Sequence, residues 1–380
     1  MLVAGEASGD LHAAHLVEQL RETAPEMDFS FFGLTGEKMR ASGVETIVRA
    51  DDLAIMGLLE IGRALPKFWR VFQTLKKAAV KRKPDAVVLV DFPDFNLPLA
   101  KSLKKLGFKV IYYVSPQLWA WRSHRVRAVR RDVDLLLAIL PFEKKWYARR
   151  GVSQVEYIGH PMVGEINPSL NRTEFCRKHS LNSANPIVCL LPGSRRKEVS
   201  RILPPMLEAA ALLHRENPLI QFVIAQAATR TRGEIEEIIK ATNADLPTFV
   251  IAQNETRDGL NASDAAAVAS GTATLETALV GTPLVVCYKV SAHNWYTLRY
   301  LINVPHYGLV NLIADERLAT ELIQGDFTGE NLAAELLKLL DPSVNREMRR
   351  RLKETVAKLG KGGASRLAAE KILEFLKSQT

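Results

Sequence analysis

The sequence predicts an α/β protein built from two doubly wound domains, and three observations predict it. A chain of 380 residues exceeds what one ordinary core supports and suffices for two. Short β-branched or leucine-rich runs alternate with helical-period segments along most of its length, the pattern of parallel sheets joined by crossover helices. The alternation breaks once, where His160-Pro161 and a polar stretch from Asn167 to Asn185 precede a fresh apolar run.

In the first series, strands are expected at Leu2–Ala4, Ala86–Val90, Val110–Val114, Leu135–Leu140 and Val155–Ile158, with a helix over Leu11–Leu20. The second series repeats the logic at Ile187–Leu191, Phe222–Ala225, Phe249–Ala252, Ala265–Val268 and Leu284–Cys287, with helices at Arg232–Ala241 and Ala273–Val280. From Gly329 onward the strand signal ends and three helices are expected, the last two near Asn345–Leu359 and Ala364–Lys377. The expected domains are therefore 1–163 and 164–343, with C-terminal helices over 344–380 that return to cover the first.

An apolar share of 47% and a charged share of 24% exclude disorder and a fibrous chain. Cys176, Cys189 and Cys287 are an odd number, two of them inside apolar runs, which fits a reducing compartment. The start shows neither a charged leader nor a cleavage site, and no apolar run reaches membrane-spanning length, so the chain is expected to be neither secreted nor membrane-spanning. A net charge of +9 favours anionic partners: nucleic acid, phosphorylated small molecules or an anionic bilayer face. Nucleic acid fits poorly because no binding module is recognisable.

Open α/β sheets bind ligands at the carboxyl ends of their strands, so the loops there are the places to look. The first strand runs into Gly5-Glu6-Ala7-Ser8-Gly9-Asp10, a glycine loop before a helix. It lacks G-x-G-x-x-G, and Glu6 and Asp10 repel a pyrophosphate, which points to hydroxyl or mixed polar recognition; a tight turn with Asp10 as helix cap is the other reading. His12 and His15 lack a third ligand at matching spacing, so no metal is expected. Asp91-Phe92-Pro93-Asp94-Phe95-Asn96 sets two carboxylates and an amide at the end of a central strand. A sugar hydroxyl is a weak nucleophile whose proton must pass to a base as it attacks, and Asp91, first after the strand, is the catalytic candidate. Asp94 also suits a structural turn. Ser115 to Arg122 carries Trp119 and Trp121, aromatic faces suited to stacking on a sugar or anchoring at a lipid interface.

In the second half, Pro192-Gly193-Ser194-Arg195 offers free backbone N–H groups and a guanidinium to a diphosphate. Ala269-Ser270-Gly271-Thr272-Ala273 again joins a strand to a helix, and Glu276, one turn in, can accept from ribose hydroxyls. Two such loops mark a nucleotide site. Finally, Leu65, Phe68, Trp69 and Phe72 are interleaved with Arg63, Lys67, Arg70, Lys76 and Lys77 after the apolar run 53–61, the pattern of a helix lying in a bilayer interface. A buried helix shows the same period.

Six motifs in order, Gly5-Glu6-Ala7-Ser8-Gly9-Asp10, Asp91-x-Pro-Asp94-Phe95-Asn96, Tyr113-Val114-Ser115-Pro116-x-Leu118-Trp119-Ala120-Trp121, Leu140-Pro141-Phe142-Glu143, Leu191-Pro192-Gly193-Ser194-Arg195 and Ala269-Ser270-Gly271-Thr272-Ala273, make the chain resemble the lipid-A-disaccharide synthases over nearly its whole length. The resemblance implies two Rossmann-like domains facing a central cleft (GT-B type). It implies an inverting hexosyltransferase that joins UDP-2,3-diacylglucosamine to 2,3-diacylglucosamine 1-phosphate (lipid X), forming a β-1,6 disaccharide and UDP at the cytoplasmic face of a Gram-negative inner membrane. No cofactor is expected. Carried over, Asp91 is the catalytic aspartate; Ser194, Arg195, Gly271, Thr272, Glu276, Asn311 and Gln324 lie on the UDP side; Glu6, Ser8, Asp94, Asn96 and Trp119 lie on the acceptor side. It further implies that the strandless tail packs on the first domain or exchanges with a partner in a homodimer. The rivals are another membrane-associated UDP-N-acetylglucosamine transferase and a non-catalytic UDP-sugar-binding module.

Overall fold

A computed structural model describes residues 1–51, 61–242, 245–298 and 304–378, without the side chains of 61–65, 294 and 298. It divides into two units, one of Met1–Val163 with Leu359–Thr380 and the other of Gly164–Lys358.

The first unit holds a seven-stranded parallel sheet: β1 (Leu2–Ala4), β2 (Phe32–Thr35), β3 (Glu45–Arg49), β4 (Val87–Val90), β5 (Val110–Tyr113), β6 (Leu135–Ala138) and β7 (Val155–Tyr157), in the order β3-β2-β1-β4-β5-β6-β7. The second holds six parallel strands: β8 (Ile187–Leu191), β9 (Gln221–Gln226), β10 (Phe249–Gln253), β11 (Ala265–Ala269), β12 (Leu284–Tyr288) and β13 (Glu321–Ile323), in the order β10-β9-β8-β11-β12-β13. The central strands β1, β4, β5, β6, β8 and β11 are buried along their whole length, as strands covered by helices on both faces must be.

Three strands have no counterpart in the sequence expectation. β2 contains Gly33, β3 is a half-exposed edge, and β13 has only three residues, so none shows a long apolar run. Gly33 is required because a Cβ there would sit 1.7 Å from the Leu2 carbonyl oxygen of β1.

The sheet order reverses direction between β1 and β4 in one unit and between β8 and β11 in the other. Register aligns Ala4 with Val90 and Val268 with Leu191, so the loops after these strands lie side by side at each switch point, where open sheets bind ligands.

The tail divides differently from the expectation. Helix Pro342–Ala357 stays with the second unit, burying Met348 and Leu352 in its core, and the chain crosses back only after Lys358. Helix Ala364–Lys377 buries Ala364, Ala368, Ala369, Ile372 and Leu373, packs on helix Ala7–Thr23 of its own first unit, and places Ser365 Oγ 3.3 Å from Tyr113 Oη. The three cysteines are buried and unpaired.

Candidate active site

In the first unit the site is built around the turn after β4. Asp91 and Phe92 both adopt left-handed backbone, with φ of 45° and 48°. Two consecutive non-glycine residues there store strain that neighbouring contacts must hold. The Asp91 carbonyl oxygen accepts from Tyr112 Oη at 2.6 Å and from Asn96 Nδ2 at 2.8 Å. The Phe92 ring stacks on Phe95 and lies against Gly5, where a Cβ would come within 2.4 Å of it. Gly5 is thus the residue that admits the turn.

Burial pushes the Asp91 carboxyl up to about 6, and the neighbouring Glu6 charge pushes the same way. A carboxylate tuned towards neutrality at a strand end is what a general base needs. Glu6 and Ser8 are exposed beside it, at the head of helix Ala7–Thr23. Asp10 turns away: its carboxylate accepts from Gly36, Lys38 and Met39 N–H at 2.8–3.2 Å and caps helix Glu37–Ala41 rather than its own helix.

Two residues expected to touch an acceptor are architectural. Asn96 is fully buried; its Nδ2 donates to the Val90 and Asp91 carbonyls, while its Oδ1 has no protein partner. Trp119 is buried too, donating Nε1–H to Glu143 at 3.0 Å with its ring edge-on to Phe142. Asp94 is exposed and receives Arg122 Nη1 at 2.7 Å and Arg125 Nη1 at 2.6 Å on one oxygen. Sequence reasoning missed Tyr112, Arg125 and Glu143 as individual residues, although Glu143 stood in a quoted motif. Fully buried Glu143 accepts from Trp119 and from the Ile139 and Leu140 N–H groups, and burial pushes its carboxyl up to about 7.

The expected membrane-facing residues separate. Helix Ile61–Arg82 turns Phe68 and Phe72 inward, with ring centroids 6.2 Å from Phe95, while Trp69 is 64% exposed. The helical period was right, but Phe68 and Phe72 fall on its core side. The side chain of Leu65 and most of the run 53–61 lie outside the described residues.

In the second unit, Gly193, Ser194, Arg195, Gly271, Thr272 and Glu276 line one cavity of about 350 Å³ at the β8–β11 switch point, together with Glu198 and Thr256. Gly193 and Gly271 have positive φ, 107° and 148°, which only glycine adopts easily. The loop N–H groups are not free as expected: Glu198 Oε2 accepts from Ser194 N at 3.1 Å and weakly from Arg195 N at 3.4 Å. Glu198 is the capping-box carboxylate of helix Arg196–Glu216. Glu276 is held by Arg257 Nε at 3.1 Å, a partner the sequence reading did not name.

Asn311 and Gln324 do not join this cavity. Asn311 is fully buried, pairing with Ala319 and with Glu321 at 2.8–2.9 Å, and Gln324 exchanges two hydrogen bonds with Val290. Asn311 thus braces the start of β13, and Gln324 ties the residue after it to the chain following β12. Among the described residues no group of three or more His, Cys, Asp or Glu side chains is placed to hold a metal ion.

Two parallel sheets in this order, each with its functional loops at a switch point, define the fold class of GT-B glycosyltransferases and UDP-sugar epimerases. Among solved structures, a putative UDP-N-acetylglucosamine 2-epimerase from Listeria monocytogenes matches with a TM-score of 0.67 at 16% identity, covering 100% of this chain and 95% of that one. The calicheamicin glycosyltransferase matches at 0.61 and 13%, covering 100% and 97%. The lipid-A-disaccharide synthetase family profile matches residues 1–375. The lipid-A-disaccharide synthase of Myxococcus xanthus is 43% identical over 99% of this chain and 97% of its own, and that of Geobacter metallireducens is 41% identical over the same shares. The chain belongs to the lipid-A-disaccharide synthase family, glycosyltransferases that use a UDP-sugar.

Proposed function

We propose that this chain transfers 2,3-diacylglucosamine with inversion from UDP-2,3-diacylglucosamine to the 6-hydroxyl of 2,3-diacylglucosamine 1-phosphate. The carrying observation is Asp91, a half-buried carboxyl raised to about 6 on a strained turn at the switch point of the first unit. The Asp91 carboxylate takes the hydroxyl proton as the acceptor oxygen bonds to the anomeric carbon. The bond from that carbon to the diphosphate oxygen breaks, and UDP leaves with the electron pair. Arg195 and the N–H groups of Ser194, Gly271 and Thr272 stabilise the diphosphate, and Glu276 accepts from the ribose hydroxyls. In this reading the first unit serves the acceptor, with Glu6 and Ser8 touching it and Asn96 holding Asp91, while the second unit, Gly164–Lys358, serves the donor.

Both substrates carry acyl chains, so the enzyme works at a lipid surface, which we assign to the cytoplasmic face of the inner membrane. Trp69, exposed on the same helix as exposed Arg70 and Lys77, supports that contact, and no described helix is long and apolar enough to cross a membrane. Exchange of helix Ala364–Lys377 between two copies belongs to the same proposal, and concentration-dependent mass by light scattering tests it. For the reaction, the assay incubates the enzyme with UDP-2,3-diacylglucosamine and the phosphorylated acceptor. UDP release that depends on the acceptor, with the disaccharide 1-phosphate as product, is expected. UDP release without disaccharide, or transfer only to another lipid acceptor, overturns the reading.

A further inference from the structure

The cluster around Asp94 holds more positive charge than its structural task requires. Arg122, which caps the one-turn helix Ser123–Arg125, and Arg125, at its end, are one turn apart, and both Nη1 atoms meet the same Asp94 oxygen at 2.7 and 2.6 Å. Two guanidiniums on one carboxylate leave a formal surplus of one positive charge and several N–H donors unspent on Asp94. A phosphate monoester, with three terminal oxygens and up to two charges, matches that donor set better than the single carboxylate does.

The cluster is open to solvent, with side-chain exposures of 63% for Asp94, 36% for Arg122 and 28% for Arg125, so its ion pairs are weak and exchangeable. It also adjoins the reacting group. Asp94 follows Asp91 by three residues in the first turn of helix Pro93–Lys104. The Tyr112 hydroxyl that donates to the Asp91 carbonyl feels the charges of Asp91, Asp94 and Arg125 together. Trp121, 45% exposed, carries Arg122 over its ring at 3.9 Å, which fixes one guanidinium.

We propose that Arg122 and Arg125 form a phosphate-monoester subsite that binds the phosphate of the acceptor, with Asp94 as the counter-ion the phosphate displaces. The proposal rests on the reading of the reaction given above and adds the residues that select a phosphorylated acceptor. An anionic lipid headgroup presents the same chemistry, so the test must separate the two sources.

The full-length enzyme, in neutral detergent micelles with saturating UDP-sugar, is assayed with 2,3-diacylglucosamine 1-phosphate and with the same acyl sugar lacking the phosphate. The double variant R122Q/R125Q is compared with wild type, and UDP affinity and circular dichroism confirm its fold. The KM for the phosphorylated acceptor is expected to rise about ten- to hundredfold, as loss of charged hydrogen bonds implies. The KM for the phosphate-free acceptor and the Kd for UDP stay unchanged. A double variant that keeps the wild-type preference for the phosphorylated acceptor overturns the subsite. Loss of binding to phosphatidylglycerol vesicles with that preference intact overturns it too, and assigns the pair to lipid headgroups. If wild type turns over neither acceptor, the reading of the reaction fails instead. Equilibrium binding of the two acyl sugars to wild type and variant then decides the subsite on the same criterion.

Discussion

As the proposed base, Asp91 must be ionised to take a proton, so its raised pKa sets where activity should fail in acid. With the carboxyl at about 6, kcat/KM should fall about tenfold for each pH unit below that value, leaving roughly a tenth of the activity at pH 5. An ordinary aspartate would keep nearly full activity there. Glu6→Gln removes the smaller of the two upward influences and should move the acid limb lower, though burial keeps it above the usual carboxylate range. Asp91→Asn should reduce turnover by about 10²–10⁴ while UDP affinity stays at the wild-type value. The same shift has a sign for stability. The folded chain holds this proton more tightly than the unfolded chain, so Asp91 lowers stability progressively as pH rises from about 4 to about 6, and by its full amount above that. Asp91→Asn should therefore stabilise the protein above pH 6, by on the order of 1–3 kcal/mol, and leave it unchanged below about pH 4. Paired pH-rate profiles, calorimetric titration with UDP and thermal melts supply the check. A rate flat from pH 5 to 8, or UDP affinity lost together with turnover, refutes the assignment.

Arg195→Ala and Glu276→Ala should each weaken UDP binding by about 1.5–3 kcal/mol in calorimetry, with circular dichroism unchanged, and an unaltered Kd in both would remove UDP from the 350 Å³ cavity. Glu198→Gln should tighten UDP about threefold, since it removes a negative charge from the loop that meets the diphosphate; weaker binding would mean that the carboxylate orders the loop instead. Trp69→Ser should release the enzyme from anionic vesicles without changing its melting temperature, whereas Phe68→Ser and Phe72→Ser, which open holes beside Phe95, should destabilise by about 1–3 kcal/mol. Vesicle sedimentation that leaves Trp69→Ser bound would place the membrane contact elsewhere.

The fold was legible where burial is complete. β1, β4, β5, β6, β8 and β11 are covered on both faces, so they appear as unbroken apolar runs and their order along the chain predicts a parallel sheet. Illegible strands were those whose residues answer to other demands. β3 alternates weakly at an edge, β2 surrenders a side chain at Gly33 to let β1 approach, and β13 is only three residues long and begins with a glutamate that Asn311 holds. The end of the second unit was misplaced for a similar reason. Both tail helices lack neighbouring strand signals, and helix Pro342–Ala357 is tied to the second unit by the burial of Met348 and Leu352 and by Asn345 and Arg349, which donate to the Asp264, Gly281 and Ser263 carbonyls.

At the site, sequence located the loops but not which way each side chain faces. Motif membership marks Asp91, Asn96 and Trp119 alike, because a family needs the residue that reacts and the residues that hold it equally. The distinction lies in burial and in where the polar atoms are spent. Asn96 and Tyr112 converge on the Asp91 carbonyl, and Gly5 makes room for the Phe92 ring, so the left-handed turn persists through contacts from β1, β5 and the following helix. Asp94 and Glu198 show the reverse case. Each is a carboxylate on donors that the proposals above assign to a phosphate, Asp94 under two arginines and Glu198 over the Ser194 and Arg195 N–H groups. A cationic pocket without such a carboxylate carries like charges whose repulsion weakens the empty protein. An internal counter-ion relieves that repulsion, and it keeps the donors oriented towards the point an incoming phosphate will occupy. The affinity for phosphate is then a difference between two anions on the same donors, so neutralising the internal one should tighten binding, as the Glu198→Gln titration will read directly.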